Sequence, residues 1–254
     1  MLFDIDQAVL YNLRYSTQYP HPNDDTLSRS SRAFAERVRD QQLSLGTYAD
    51  GKYGPHTHSL LYPPPQKHYV YRDRQRIPLP LSTLYTVSHE HSLAEVGHFS
   101  PRKNTKPRRL IWHWGGLNPE HLVMVMSGPR KVSTHFAIGL SQAHTATVYQ
   151  LLDISHRAWH AGRHNRGAIG IDICQQADPR YIQYYIDHNY IVELRANPGV
   201  GPSQAITLDP RILAACRDFS AHLRAAMNIT EQTSHHLLSS RKWDISPWWE
   251  AINE

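Results

Sequence analysis

Arg109-Leu110-Ile111-Trp112-His113-Trp114-Gly115-Gly116-Leu117-Asn118-Pro119-Glu120 is the stretch whose reading decides the fold. Leu110, Ile111 and Trp112 make a short apolar run that ends at His113, and Trp114-Gly115-Gly116 gives the chain a place to stop and turn. Asn118 then offers an N-cap, Pro119 fits a first helical turn and Glu120 lies near the positive end of the helix dipole, so residues 118–126 are predicted to be helical. The same alternation continues downstream. Residues 134–140 and 146–152 alternate like strands around Ser141-Gln142-Ala143-His144-Thr145 and are expected to pair as a hairpin. Ala168-Ile169-Gly170-Ile171-Asp172-Ile173-Cys174 reads as a buried strand, and residues 209–227 carry the apolar spacing of a long helix. Strands alternating with helices imply an α/β domain, a central sheet covered by helices on at least one face.

Upstream of this domain the pattern changes. Phe34, Val38 and Leu43 recur at near-helical spacing among charges, predicting a helix over residues 26–43. Asp50-Gly51-Lys52-Tyr53-Gly54-Pro55 is turn chemistry, residues 57–62 fit a second short helix, and Pro63-Pro64-Pro65 ends it. Residues 1–66 are therefore expected to form a small helical module. Residues 67–108 read as a linker or an N-terminal extension of the domain that follows at residues 109–254, with short strands at 68–71 and 83–87 and a basic stretch from Arg102 to Arg109. The pairs His56/His58 and His89/His91 lack a second cluster at metal-site spacing and are expected to be solvated loop histidines.

Composition bounds the function. The chain has 254 residues, of which 40% are hydrophobic, enough for one ordinary domain with a smaller companion. A formal charge of +5 implies attraction to a polyanion: nucleic acid, an anionic lipid surface or a charged cell-wall polymer. No motif of a nucleic-acid-reading module occurs, so nucleic acid is not an expected partner. Only Cys174 and Cys216 are present, which excludes a disulfide framework and predicts two buried thiols. The start, Met1-Leu2-Phe3-Asp4-Ile5-Asp6, lacks a signal peptide's basic and apolar regions, and no run of eighteen apolar residues follows. The expectation is a soluble chain without stable membrane insertion, cytoplasmic until released or delivered to the wall or periplasm. Oligomeric state is left open.

The chemistry-bearing residues lie at strand ends and near the C-terminus. Zinc hydrolysis needs three protein ligands, an open position, a proton acceptor and a group that stabilises an oxyanion. Strand-end His113 is a candidate first ligand, and His235-His236 through Asp244 offers an imidazole, the Lys242 ammonium and a carboxylate within one segment. Asp172 breaks an apolar strand. It either faces solvent by period-two alternation or acts at the metal-bound water as base or orienting group.

These segments in order, Leu110 to Trp114, Val132 to Gly139, Thr147 to Leu152, Trp159-His160-Ala161-Gly162 with Asn165, Ala168 to Asp172, and His236 to Asp244, resemble the zinc-dependent N-acetylmuramoyl-L-alanine amidases, which share a fold with peptidoglycan recognition proteins. The resemblance covers about 140 residues from Arg109 onward. It implies a mixed sheet flanked by helices and hydrolysis of the amide between N-acetylmuramic acid and L-alanine in peptidoglycan. It also implies a Zn2+ site of His113, His236 and Asp244, with His236 preferred to His235 on the spacing to Asp244. Asp172 and Lys242 take the catalytic positions, and Trp114, His160 and Asn165 the substrate groove. Two positions depart from the family pattern: Asp172 stands where glutamate is usual, and Thr134 where many members carry tyrosine. Residues 34–57 also resemble a short peptidoglycan-binding repeat, the alternative being a helical leader. Residues 178–208 are expected to wall one side of the groove. A noncatalytic peptidoglycan-binding protein and a cytoplasmic muropeptide-recycling enzyme stand beside the lytic enzyme, whether endolysin or delivered toxin.

Overall fold

The computed structural model describes residues 4–14, 31–44, 49–54, 57, 68–102, 105–188 and 190–254. These fall into two compact units, residues 1–66 and 67–254. The first contains α1 (Ile5–Arg14), which the sequence pattern did not reveal, and α2 (Arg32–Ser44). Two buried amides hold the turn after α2. Asn12 donates to the Gly51 carbonyl and accepts from the Tyr53 amide, while Gln42 accepts from the Gly51 amide and donates to Thr57. Gly51 has a φ of 69°, a conformation that favours glycine. The expected helix at 57–62, the proline run and the His56/His58 pair lie outside the described residues, apart from Thr57.

The second unit begins with β1 (Tyr69–Arg72), β2 (Gln75–Pro78), β3 (Thr86–Ser88) and β4 (Phe99–Pro101), followed by β5 (Arg109–Trp114) and α3 (Pro119–Ser127). Then come β6 (Phe136–Leu140), β7 (Ala146–Gln150), β8 (His156–Ala158), β9 (Ala168–Cys174), α4 (Ile182–Asp187), β10 (Leu194–Ala196) and β11 (Gln204–Ile206). The chain closes with α5 (Pro210–Met227), β12 (Glu231–Ser234), α6 (His235–Leu238) and α7 (Trp249–Asn253). The central sheet has the order β12-β5-β9-β6-β7-β3. Its pairs are parallel except the β6–β7 hairpin, which makes it a mixed sheet flanked by helices.

The expected cap forms at α3, and α5 has one of its own. The Asn118 side chain accepts from the His121 amide at α3, and Asp209 accepts from the Arg211 amide at α5. Sheet alternation divides the core. Leu110, Trp112, Phe136, Ile138, Ile169, Ile171 and Ile173 pack with Ile212, Phe219 and Leu223 of α5. Ala137 and Cys174 face the opposite way, with Leu122 and Met126 of α3. Both faces are covered, so β9 is buried throughout, Asp172 included. The solvent-facing reading of Asp172 is overturned for that reason.

Candidate metal centre

The register of the parallel strands builds the site. His113 pairs with Asp172 across β5 and β9, so their side chains leave the sheet on one face. Ser234 at the end of β12 pairs with Trp112, which carries the next residue, His235, alongside His113. The two imidazoles lie 4.8 Å apart, centroid to centroid. Asp244 completes the group: its Oδ1 is 3.8 Å from His113 Nδ1 and its Oδ2 is 3.4 Å from His235 Nδ1. Asp244 has a φ of 35°, a costly conformation for a residue with a Cβ and one that tends to collect at functional sites.

His113, His235 and Asp244 bring one donor atom each to within 4.8 Å of one another. Ligands about 2.0–2.1 Å from a tetrahedral zinc sit roughly 3.3 Å apart, so the spacing fits with small adjustments. Two further observations agree. Burial, before any neighbouring charge, holds both imidazoles below their ordinary pKa, which keeps lone pairs free for a metal. Asp244 Oδ2 is buried and has no hydrogen-bond partner. With His113 Nδ1 as the donor atom, Nε2 carries the proton and donates to His160 Nδ1 at 2.7 Å. His160 thereby orients the first ligand, and Asn165 braces His160 by accepting from the His160 and Ala161 amides.

Asp172 lies beside this cluster with Oδ2 buried and unpartnered. Burial pushes its pKa up to about 7, the Thr134 hydroxyl lowers it in part, and Asp244 raises it. The cluster opens on a cavity of about 520 Å³, lined also by Lys242, Trp114, Trp243 and the inner face of α3. Trp114 donates its indole N–H to the Gln175 carbonyl and lies 5.1 Å from the Trp243 ring.

A family model for N-acetylmuramoyl-L-alanine amidase matches residues 88–247. The chain belongs to this amidase family. Among solved structures, an E90A mutant of PlyL is similar at 15% identity, covering 66% of this chain and 98% of that one with a TM-score of 0.44. The endolysin amidase LysCS from Clostridium intestinale URNW is similar at 16% identity, over 66% and 93% of the two chains, with a TM-score of 0.41. Drosophila PGRP-LB is similar at 12% identity, over 61% and 85%, with a TM-score of 0.37. No curated protein matches the sequence.

For this amidase-family chain the geometry changes one member of the candidate ligand set. His235, not His236, faces His113 and Asp244. His236 turns away, with Nδ1 2.6 Å from the Ser234 hydroxyl and its ring 6.3 Å from that of Trp249. Side chains of adjacent residues point in different directions, and only the β12–β5 register decides which one meets His113. Asn165 is a second correction, since it braces the His160 loop and does not line the cavity. Nor does any described residue of 178–208, a stretch occupied by α4 and the β10–β11 hairpin. The cavity-lining residues His121, Arg130 and Arg241 carry no signal in the sequence pattern. His89 and His91 stack or tilt on Tyr69 and Tyr149, and both cysteines are buried. No helix among the described residues is long and apolar enough to cross a membrane.

Proposed function

We propose that this chain is a zinc-dependent amidase that cleaves the bond between N-acetylmuramic acid and L-alanine in peptidoglycan. The observation that carries the reading is the convergence of His113, His235 and Asp244 on the floor of a cavity that also holds Asp172. Zinc, when bound, supplies a Lewis acid that polarises the scissile carbonyl and acidifies water. The chain's own groups do the rest. With a pKa near neutrality, Asp172 accepts a proton from the attacking water and returns it to the leaving amine. Its short side chain reaches the site because β9 carries it in directly beside His113. Lys242, exposed on the cavity wall, places an ammonium where charge develops on the carbonyl oxygen. Trp114 and Trp243 offer ring faces to the sugar or stem peptide.

We read residues 1–66 as a wall-binding module, which favours a lytic enzyme acting on polymer, endolysin-like or delivered as a toxin. The two helices and the turn locked by Asn12 and Gln42 support that reading.

The test is mass analysis of products after zinc-loaded protein meets intact peptidoglycan and, in parallel, a soluble muropeptide. Free stem peptides are expected from both. Asp172→Asn is expected to keep one equivalent of zinc and to lose about 100-fold or more in rate, and His113→Ala to lose the zinc. Full zinc loading with no products from either substrate would sink the catalytic reading and leave a wall-recognition protein.

A further inference from the structure

A second polar cavity lies at the other end of the same strands. Register runs from Arg109↔Ala168 to His113↔Asp172, so roughly 13 Å of strand separates it from the metal-site residues. The cavity, about 460 Å³, is lined by Ser100, Arg102, Arg157, Arg166 and Gly167 among others, and no carboxylate lines it. It adjoins a larger groove of about 900 Å³ that shares Arg166 and Gly167 and adds Arg72, Lys106 and Arg108. The acid in that groove, Glu231, is already paired with Arg109.

Arg102 is the informative residue. It is 9% exposed, an unusual burial for a guanidinium, and has no ion-pair partner among the described residues. Its Nε donates to the Ile154 carbonyl at 3.0 Å and its Nη2 to the Ala168 carbonyl at 2.8 Å. Nη1 is buried with no hydrogen-bond partner among the described residues. Burial, then Arg157 and Arg72, pull its pKa down to about 10. A buried cation facing other cations is costly unless an anion joins it.

The other lining groups also have donors to spare. Ser100 Oγ accepts from Arg157 Nε at 2.9 Å and from the Trp159 indole at 3.2 Å, so its own proton is left for a third group. Among the described residues, Arg157 keeps both terminal nitrogens without a hydrogen-bond partner, and Arg166 is exposed with no ion pair. Three guanidinium groups and a hydroxyl donor lining one cavity suit the oxygens of a tetrahedral oxyanion.

We propose that this cavity binds a phosphate group, either free or carried on a phosphodiester-linked polyol polymer. The site is independent of the amidase chemistry. Calorimetric titration of the full chain with inorganic phosphate and with poly(glycerol phosphate), against acetate at equal ionic strength, tests it. Saturable binding of one or both phosphate probes is expected, weakened about tenfold or more by Arg157→Gln or Arg166→Gln, since each removes a charge-assisted contact. Those two side chains are less buried than Arg102, so their variants keep the fold, which an unchanged circular dichroism spectrum and Tm verify; Arg102→Lys is the companion variant at the buried position. Tighter binding of the polymer identifies the polymer as the source of the phosphate, and equal or preferential binding of inorganic phosphate identifies the free ion. Acetate binding as well as phosphate, undiminished binding in both rim variants, or no saturable binding of either probe overturns the proposal.

Discussion

At the scale of single residues, the proposed metal centre depends on which of two adjacent histidines turns inward. His235 stands one register step beyond Ser234 and meets His113, whereas His236 is tied to the Ser234 hydroxyl. His235→Ala is expected to weaken zinc binding about 100-fold or more, and His236→Ala to change it by no more than about threefold, as measured by competition with a chelator. The reverse ranking would dismantle the site as drawn. The strand-end His113 and the carboxylate of Asp244 were legible as candidate ligands in the sequence, because a donor after an apolar run and a His-to-Asp segment both have few structural uses. The choice between neighbours was not legible, because it follows from register. His160 is a comparable case. Its sequence context marks a groove position, and the fold gives it a further contact, the 2.7 Å bond to His113 Nε2.

At the scale of elements, β9 shows how one strand serves two faces. Ile169, Ile171 and Ile173 enter the α5 core, while Gly170 and Asp172 face the metal site. Gly170 leaves room for other groups there: a Cβ would come within 2.9 Å of both His160 Cγ and Thr134 Oγ1. Gly170→Ala is therefore expected to destabilise the protein by about 1–3 kcal/mol, the usual cost of overpacking. It should also weaken zinc binding, because His160 must shift away from His113. Denaturant melts paired with zinc titrations check both, and a variant that matches wild type in each would refute this packing argument. Half of the strands, β1, β3, β5, β6, β7 and β9, and both long helices of this unit were readable from apolar period, alternation or caps. The exceptions have a physical cause. β12 reads Glu-Gln-Thr-Ser, a polar edge strand with no alternation to detect, and β4, β8, β10 and β11 are each three residues long, too short for a period to show.

At the scale of the whole molecule, the larger unit carries several histidines held neutral by burial. His135 is the clearest. It is fully buried, accepts from the Gly170 amide at Nδ1 and donates from Nε2 to the His156 carbonyl. Burial, then Arg102, depresses its pKa to about 3. A depressed folded-state pKa contributes stability that is complete above the unfolded value of 6.5 and is lost as pH falls toward 3, on the order of 5 kcal/mol for this residue at the limit. His113 and His160 act in the same direction. Asp172 opposes them, since its raised pKa makes its contribution fall as pH rises from 3.8 to about 7. The histidines outnumber it, so the Tm of metal-free protein should drop from pH 7 to pH 4, and His135→Gln should flatten the drop. A Tm independent of pH over that range would show that these imidazoles are not buried neutral. The amino-acid sequence by itself determined the alternation of strands and helices, the burial of both cysteines and the residue types of the proposed metal site, because apolar period, caps and ligand chemistry are local properties. Only the tertiary structure decided that His235 rather than His236 faces His113, that Asn165 braces a loop, and that uncompensated arginines gather at the far end of the sheet. Each of these depends on strand register and on which face of the sheet is covered, and neither is local to any stretch of sequence.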